Sequence, residues 1–288
     1  MTYKSIYKET LFDNSVVAIT GGGSGIGRCT AHELASLGAN LALIGRNQEK
    51  LDNVRSEIIN SSGNKNISVH ICDIRNEDVV KETVANIISV HGKLNGLFNN
   101  AGGQFPAPLK DISANGWDAV VRNNLTGGFL FARECYKQWM ESNGGSIVNI
   151  IADMWNGMPG MGHSGAARAG MLNFTETAAC EWAVSGVRVN AVAPGWIASS
   201  GLETYSPEFQ KKITTLSRHV PLQRLGTESE VSAAAVFLLS EAAAFITGST
   251  IRVDGGVPNA RHTWHLPEHD KSKAYNGFHL STTPTFLS

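Results

Sequence analysis

Apolar and polar positions along the chain follow two different periods. Short runs in which nearly every position is apolar or β-branched, such as Val16-Val17-Ala18-Ile19, are bounded by glycine or asparagine. Between them lie longer stretches whose apolar residues recur every three or four positions. The short runs predict strands over 15–20, 40–44, 67–72, 94–99, 146–151, 187–193 and 250–253. The longer stretches predict helices over 26–37, 48–59, 78–90, 117–140, 165–184 and 228–239. Strands that are apolar throughout belong in a sheet covered on both faces, and a helix after each strand makes the sheet parallel. The expected fold is therefore α/β: a single doubly wound Rossmann domain, with a seven-stranded parallel sheet flanked by helices on both faces. Ligands of such a sheet bind at the carboxyl ends of its strands.

No interior linker interrupts the alternation, so one domain is expected over 13–256, after a leader at 1–12. The composition shifts after Asp254-Gly255-Gly256, and residues 257–288 form a C-terminal extension with His262, His265, His269 and His279 but little periodicity. These histidines lack metal-ligand spacing, and no metal is expected. Whether the extension is strapped down or mobile stays open at this level. Charge adds exclusions: 24 basic against 25 acidic residues leave a net of −1, with no basic cluster for a nucleic-acid backbone. Only 17% of residues are charged and 42% are apolar, which implies a large core plus buried surface at a pocket or subunit contact. Cys29, Cys72, Cys135 and Cys180 are widely spaced, as suits reduced thiols in a cytoplasmic compartment. The leader has no apolar signal region, and the most apolar stretch, 231–239, is too short to cross a bilayer.

Thr20-Gly21-Gly22-Gly23-Ser24-Gly25-Ile26-Gly27 connects the first strand to the first helix, in the frame GxxxGxG on Gly21, Gly25 and Gly27. Glycines at that junction let backbone N–H groups approach a diphosphate at the positive end of a helix. The second strand ends Gly45-Arg46, where an acidic residue would take a ribose 2′-hydroxyl. Arg46 offers instead a planar fork for a 2′-phosphate, so NADP(H) is the expected cofactor.

The glycine loop, Asp73 after the third strand and Asn99-Asn100-Ala101-Gly102 after the fourth together resemble the short-chain dehydrogenase/reductase family. Asn123-Asn124-Leu125-Thr126-Gly127, Val192-Ala193-Pro194-Gly195 and Asp254-Gly255-Gly256 extend the resemblance over nearly the whole chain. It implies that Ser24 and Ile26 join the glycines at the diphosphate and that Asp73 and Ile74 meet the adenine. Asn100, Ala101 and Gly102 would line the adenosine side, and Pro194, Gly195, Trp196 and Ile197 would face the nicotinamide. Ser199 stands where a threonine often touches the cofactor.

One part of the family pattern is missing. Most members pair a serine with Tyr-x-x-x-Lys, whose tyrosine gives a proton to the substrate oxygen. Here Ile151-Ala152 occupies the serine region, while Ser164 and Arg168 stand for the tyrosine and the lysine; no Tyr-x-x-x-Lys occurs. Neither serine nor arginine is a useful acid near neutrality, but both can donate hydrogen bonds to a developing oxyanion. Reduction of a 2-enoyl thioester needs that service, and the segment 163–170 is similar to peroxisomal trans-2-enoyl-CoA reductases. In 2,4-dienoyl-CoA reductases, too, serine replaces the tyrosine.

The resemblance gives Arg168 to the nicotinamide ribose, Ser164 to the ribose or thioester oxygen, and Asn124 to organising the long helix and a water. Ser164 could alternatively be a helix N-cap, His163 a proton source or a local hydrogen-bonding residue, and Tyr205 a group that swings over the substrate. The loop 153–162, with three methionines and a tryptophan, suits an acyl-CoA or isoprenoid chain, and Arg218, His219 and Arg224 are candidates for a CoA phosphate. The chain also resembles bacterial dehydrogenases of acyclic terpene alcohols such as citronellol. A third reading is a nucleotide-binding scaffold that has lost catalysis. Family habit implies a homodimer or homotetramer formed through 117–140 and 165–184.

Overall fold

A computed structural model describes residues 1–260 and 266–287. Among the described residues one parallel sheet holds seven strands in the order β3-β2-β1-β4-β5-β6-β7. They are β1 (Val16–Thr20), β2 (Asn40–Gly45), β3 (Ile67–Ile71), β4 (Gly96–Asn99), β5 (Gly145–Ile150), β6 (Val187–Pro194) and β7 (Thr250–Val253). Every residue of β1 is buried: Val17 and Ile19 join the core on one face, Val16 and Ala18 the core on the other. That two-sided burial is why the strand reads as continuously apolar. One face is covered by α1 (Gly25–Ser36), α2 (Gln48–Ser62) and α9 (Glu228–Leu239). The other carries α3 (Glu77–His91), α4 (Ala114–Val121), α5 (Gly127–Cys135), α6 (Glu141–Asn143) and α7 (Gly162–Glu181). The strand order reverses between β1 and β4, and the loops that follow these two strands meet there.

Local chemistry sets most helix ends. Asn47, Asn76, Ser113 and Thr227 each accept a backbone N–H from the first turn of the helix they precede. Gly63 and Gly92 close α2 and α3 in the left-handed conformation. The expected helix over 117–140 is longer and less regular than its pattern suggests. It begins at Ala114, ends at Asn143, and contains two π-helical turns, Arg122–Thr126 and Tyr136–Met140. A further helix, α8 (Pro207–Leu216), was not anticipated, because only Phe209, Ile213 and Leu216 break its polar sequence. Ser206 caps it and Pro207 opens it.

The part of the C-terminal extension around Gly277 and Phe278 is strapped down. The Lys4 N–H donates to Gly277 O at 2.8 Å, and Phe278 is buried between Tyr3 and His32, with ring centroids 6.0 and 5.0 Å away. Beneath this contact, the Glu33 carboxylate accepts hydrogen bonds from Tyr3, Ser5 and Ser232 at 3.1, 2.7 and 2.5 Å. Arg224 is committed to the same region by a bidentate ion pair with Glu230 and a bond to Ser272, which removes it as a phosphate ligand. Arg218 and His219 are exposed. His269 bonds Pro221 O and His279 packs edge-on against His32, while His262 and His265 lie outside the described residues. No described helix is long and apolar enough to cross a membrane.

Candidate functional site

Of the clefts at the carboxyl edge of the sheet, two are lined by the expected site residues. The first, of about 230 Å³, is lined by Gly21, Ser24, Arg46, Asp73, Ile74, Ala101 and Gly102 among others. Gly21 and Gly25 have φ of +69° and +56°, where a side chain would be strained. A Cβ on Gly27 would lie 2.3 Å from Gly21 O, so only glycine lets α1 begin this close to the loop. Ser24 precedes α1 without capping it, and the first turn holds no acidic residue. The amides of that turn thus have no internal side-chain acceptor, and they suit an anionic diphosphate.

Asn100 does its work from behind the loop. Its Nδ2 donates to Thr20 O at 3.0 Å, and the Thr20 hydroxyl accepts the backbone N–H groups of Asn100 and Ala101, both at 2.9 Å. Asn100 therefore braces the glycine loop, while Ala101 and Gly102 line the cleft itself. Arg46 is exposed at the end of β2, and Lys50, one turn into α2, lines the same cleft. Asp73 forms a two-point ion pair with Arg75 at 2.8 and 2.5 Å; those hydrogen bonds hold its carboxyl down at about 2.

Glu228, in the first turn of α9, lies 3.8 Å from where a Cβ on Gly25 would be. It is 8% exposed, and burial pushes its carboxyl up to about 7 against the opposing pull of Arg28. A raised carboxyl favours folding while protonated, so its penalty sets in above the ordinary 4.5 and is complete once pH passes about 7. Glu228→Gln should therefore raise thermal stability at pH 8 by about 1–3 kcal/mol and change it little at pH 5. Equal gains in melts at both pH values would show that ionisation is not the cause.

The second region lies where α7 begins. Arg168 is buried, with 8% exposure, and its Nη1 donates to Ile150 O at 2.5 Å. Its Nε has no partner, and no carboxylate pairs with it among the described residues. Burial lowers its pKa to about 10, which leaves it charged at neutral pH. A buried cation with spare donors suits oxygen atoms brought by a ligand. Gly102 makes room for it, since a Cβ there would lie 2.5 Å from Arg168 Nη2 and 2.6 Å from Asn124 Oδ1. Asn124 sits within the first π-helical turn, a form frequent at functional sites. Its Oδ1 accepts Gly103 N–H at 3.1 Å, and its Nδ2 donates to Gly103 O and Val120 O at 2.6 and 2.8 Å.

Ser164 is not an N-cap: α7 begins two residues earlier, at Gly162, and Met161 precedes it. Ser164 is fully buried and its hydroxyl donates to Gln104 Oε1. His163 is buried as well; its Nδ1 accepts the Ser164 N–H at 2.9 Å, and its Nε2 has no partner among the described residues. The second cleft, about 240 Å³, is lined by Gln104, Asp153, Met158, Met161, Pro194, Gly195, Trp196 and Phe209 among others. Ile197 is buried at its edge and forms a bridge with Gly226, and Ser199 opens the turn that leads to α8. Met154 and Trp155 pack beneath the loop instead, Trp155 under the Arg252 guanidinium.

Sequence reasoning missed Thr20, Lys50, Gln104 and Phe209. Lys50 had a usable signal, because it lies one helical turn beyond Arg46; Gln104 had none. Behind the site, Thr20, Asn99, Asn149 and Thr175 link in a buried polar row: Asn99 Nδ2 donates to Asn149 Oδ1 at 3.0 Å, and Asn149 Nδ2 to Thr175 Oγ1 at 2.9 Å.

Comparison with known proteins agrees with this geometry. Residues 21–258 match the family model described as enoyl-(acyl carrier protein) reductase. A probable 2,4-dienoyl-CoA reductase of Bacillus subtilis is 36% identical over 247 residues, covering 85% of this chain and 96% of that protein. A glucose 1-dehydrogenase of Gluconobacter oxydans is 38% identical over 256 residues, covering 87% and 94%. The solved structure of a citronellol catabolism dehydrogenase of Pseudomonas aeruginosa superposes with a TM-score of 0.80 at 57% identity, covering 89% of this chain and 100% of that one. With the sheet order, the glycine loop and these matches agreeing, the chain belongs to the short-chain dehydrogenase/reductase family of nicotinamide-dependent oxidoreductases.

Proposed function

We propose that this enzyme is an NADP(H)-dependent reductase of the C=C bond in a 2-enoyl thioester carrying a long apolar acyl chain. The observation that carries this reading is the site at Ser164 and Arg168: a serine stands where most members carry the phenol, and a buried guanidinium without a carboxylate partner stands where they carry the lysine. A guanidinium so placed can stabilise negative charge on an oxygen, and neither it nor the serine is good at delivering a proton. A bound nicotinamide supplies the hydride. Gly21, Ser24, Gly25, Ile26 and Gly27 would hold its diphosphate, Arg46 and Lys50 a 2′-phosphate, and Asp73, Ile74, Ala101 and Gly102 the adenosine. Pro194, Gly195, Ile197 and Ser199 would flank the nicotinamide, and Arg168 would bind its ribose. Asn124 positions the Gly102-Gly103 backbone beside Arg168. The Met158, Pro159, Met161 and Phe209 lining suits an acyl or isoprenoid tail, because methionines adapt to irregular apolar shapes. Exposed Trp117 and Phe129 suit a homodimer or homotetramer, and four unpaired cysteines suit a reducing cytoplasm.

The 57% identity to a citronellol catabolism dehydrogenase favours a second reading, oxidation of an acyclic terpene alcohol in the same cleft. NADPH oxidation measured with trans-2-enoyl-CoAs of several chain lengths and with citronellal separates the two. Turnover of enoyl-CoAs is expected; turnover of citronellal alone would replace the first reading by the second. Tight NADPH binding without turnover of either would remove both.

A further inference from the structure

Ser164 cannot hand a hydrogen bond to a substrate in this structure. It has no exposed surface, and its single hydrogen goes to Gln104 Oε1. The same amide continues in the other direction, its Nε2 donating to the Tyr205 hydroxyl at 3.3 Å. Hydrogens along Ser164, Gln104 and Tyr205 thus all run one way. Tyr205 is the end of the row: its oxygen accepts, and its own hydrogen is left for another acceptor.

The position of Tyr205 is built. It lies between the turn Ser200–Thr204 and α8, and its carbonyl accepts from Gln210 Nε2 at 3.0 Å. Its ring rests on Phe209 with centroids 5.0 Å apart, and Phe209 and Gln104 both line the substrate cleft. Tyr205 is half-buried, unlike Ser164.

We propose that Tyr205, oriented by Gln104, donates the hydrogen bond to the carbonyl oxygen of the substrate that a tyrosine at position 164 would otherwise provide. Ser164 then acts through Gln104 as a positioning residue. Each donor in such a row polarises the next, so Ser164 and Gln104 strengthen the Tyr205 O–H as a donor. Tyr205 keeps its proton throughout; its bond tightens as negative charge gathers on the substrate oxygen. The inference rests on the reduction proposed above, since it requires a substrate oxygen in the second cleft.

The test compares Tyr205→Phe, Gln104→Leu and Ser164→Ala with the unaltered enzyme, using NADPH and either trans-2-hexenoyl-CoA or citronellal. Tyr205→Phe should lower kcat about 100-fold, the loss typical of one oxyanion donor, with KM and the Kd for NADPH changed less than about threefold. Gln104→Leu should lower kcat about 10-fold and Ser164→Ala by less, since both only polarise the Tyr205 hydroxyl. The reverse ranking, with Ser164→Ala the most damaging and Tyr205→Phe silent, would overturn the proposal. Fluorotyrosines at position 205 guard against a misfolded variant: kcat should follow the acidity of the phenol at constant melting temperature, and an unchanged kcat would overturn the role. The two levels fail differently. An unaltered enzyme that oxidises NADPH with neither compound overturns the proposed reaction and this inference with it. Turnover that survives Tyr205→Phe at full kcat overturns Tyr205 alone.

Discussion

Arg168→Met is expected to lower kcat/KM about 10³-fold and to weaken NADPH binding about 10-fold, while the protein still folds. Hydrogen bonds to a charged donor contribute about 1.5–3 kcal/mol each, and two such bonds to ligand oxygens account for a loss of this size. Stability should move little, for two opposing reasons. Methionine leaves Ile150 O without its donor, but it also removes a buried cation that no carboxylate balances. Arg168→Lys should fall between, since it keeps the charge but not the planar fork that spans Ile150 O and a ligand. Steady-state kinetics, fluorescence titration with NADPH and thermal melts read the three quantities. Normal NADPH affinity together with early melting would make Arg168 a structural residue and leave the ribose without its expected partner.

Arg46→Asp should weaken NADPH binding about 100-fold and leave NADH binding within about threefold or improved. The basis is positional. Arg46 is exposed at the carboxyl end of β2, no salt bridge fixes it among the described residues, and Lys50 stands beside it in the cleft. A guanidinium there can take a phosphate with two charge-assisted bonds, whereas a carboxylate repels phosphate and accepts from a ribose hydroxyl. Lys50→Ala should add a smaller loss that is also confined to NADPH. Titration of both variants with both cofactors decides the matter: equal losses for the two cofactors would place Arg46 outside the cofactor site.

The nucleotide half of the site was legible because its chemistry is backbone chemistry. Gly21, Gly25 and Gly27 declare a loop in which Cβ atoms have no room, and Arg46 declares the end of its strand. The strand and helix succession was legible for a related reason, since burial on both faces writes itself into uninterrupted apolar runs. Other features depend on partners far apart in sequence. Gln104 lies 60 residues from Ser164 and 101 from Tyr205, and nothing around it marks the contact. Asn124 was legible as a motif, but its π-helical turn was not, because one wider turn leaves the apolar period almost intact. Nor could sequence show how the extension packs: Phe278 and Gly277 acquire meaning only beside Tyr3 and Lys4.

The buried polar row behind the site has a consequence for how the sheet finds its alignment. Strands that are apolar except at their last residue, such as β1 and β4, would bury about as much apolar surface if one slid along its neighbour. Thr20, Asn99 and Asn149 are direct partners across β1, β4 and β5, and Asn99 reaches Asn149 only in that alignment. A slip of one residue would strand these amides in hydrocarbon, at about 1–3 kcal/mol for each polar group left unmatched. The row therefore acts as a key that admits one register, and in that register alone do the loops carrying Gly21 and Asn100 lie level with the Ile150 carbonyl that holds Arg168.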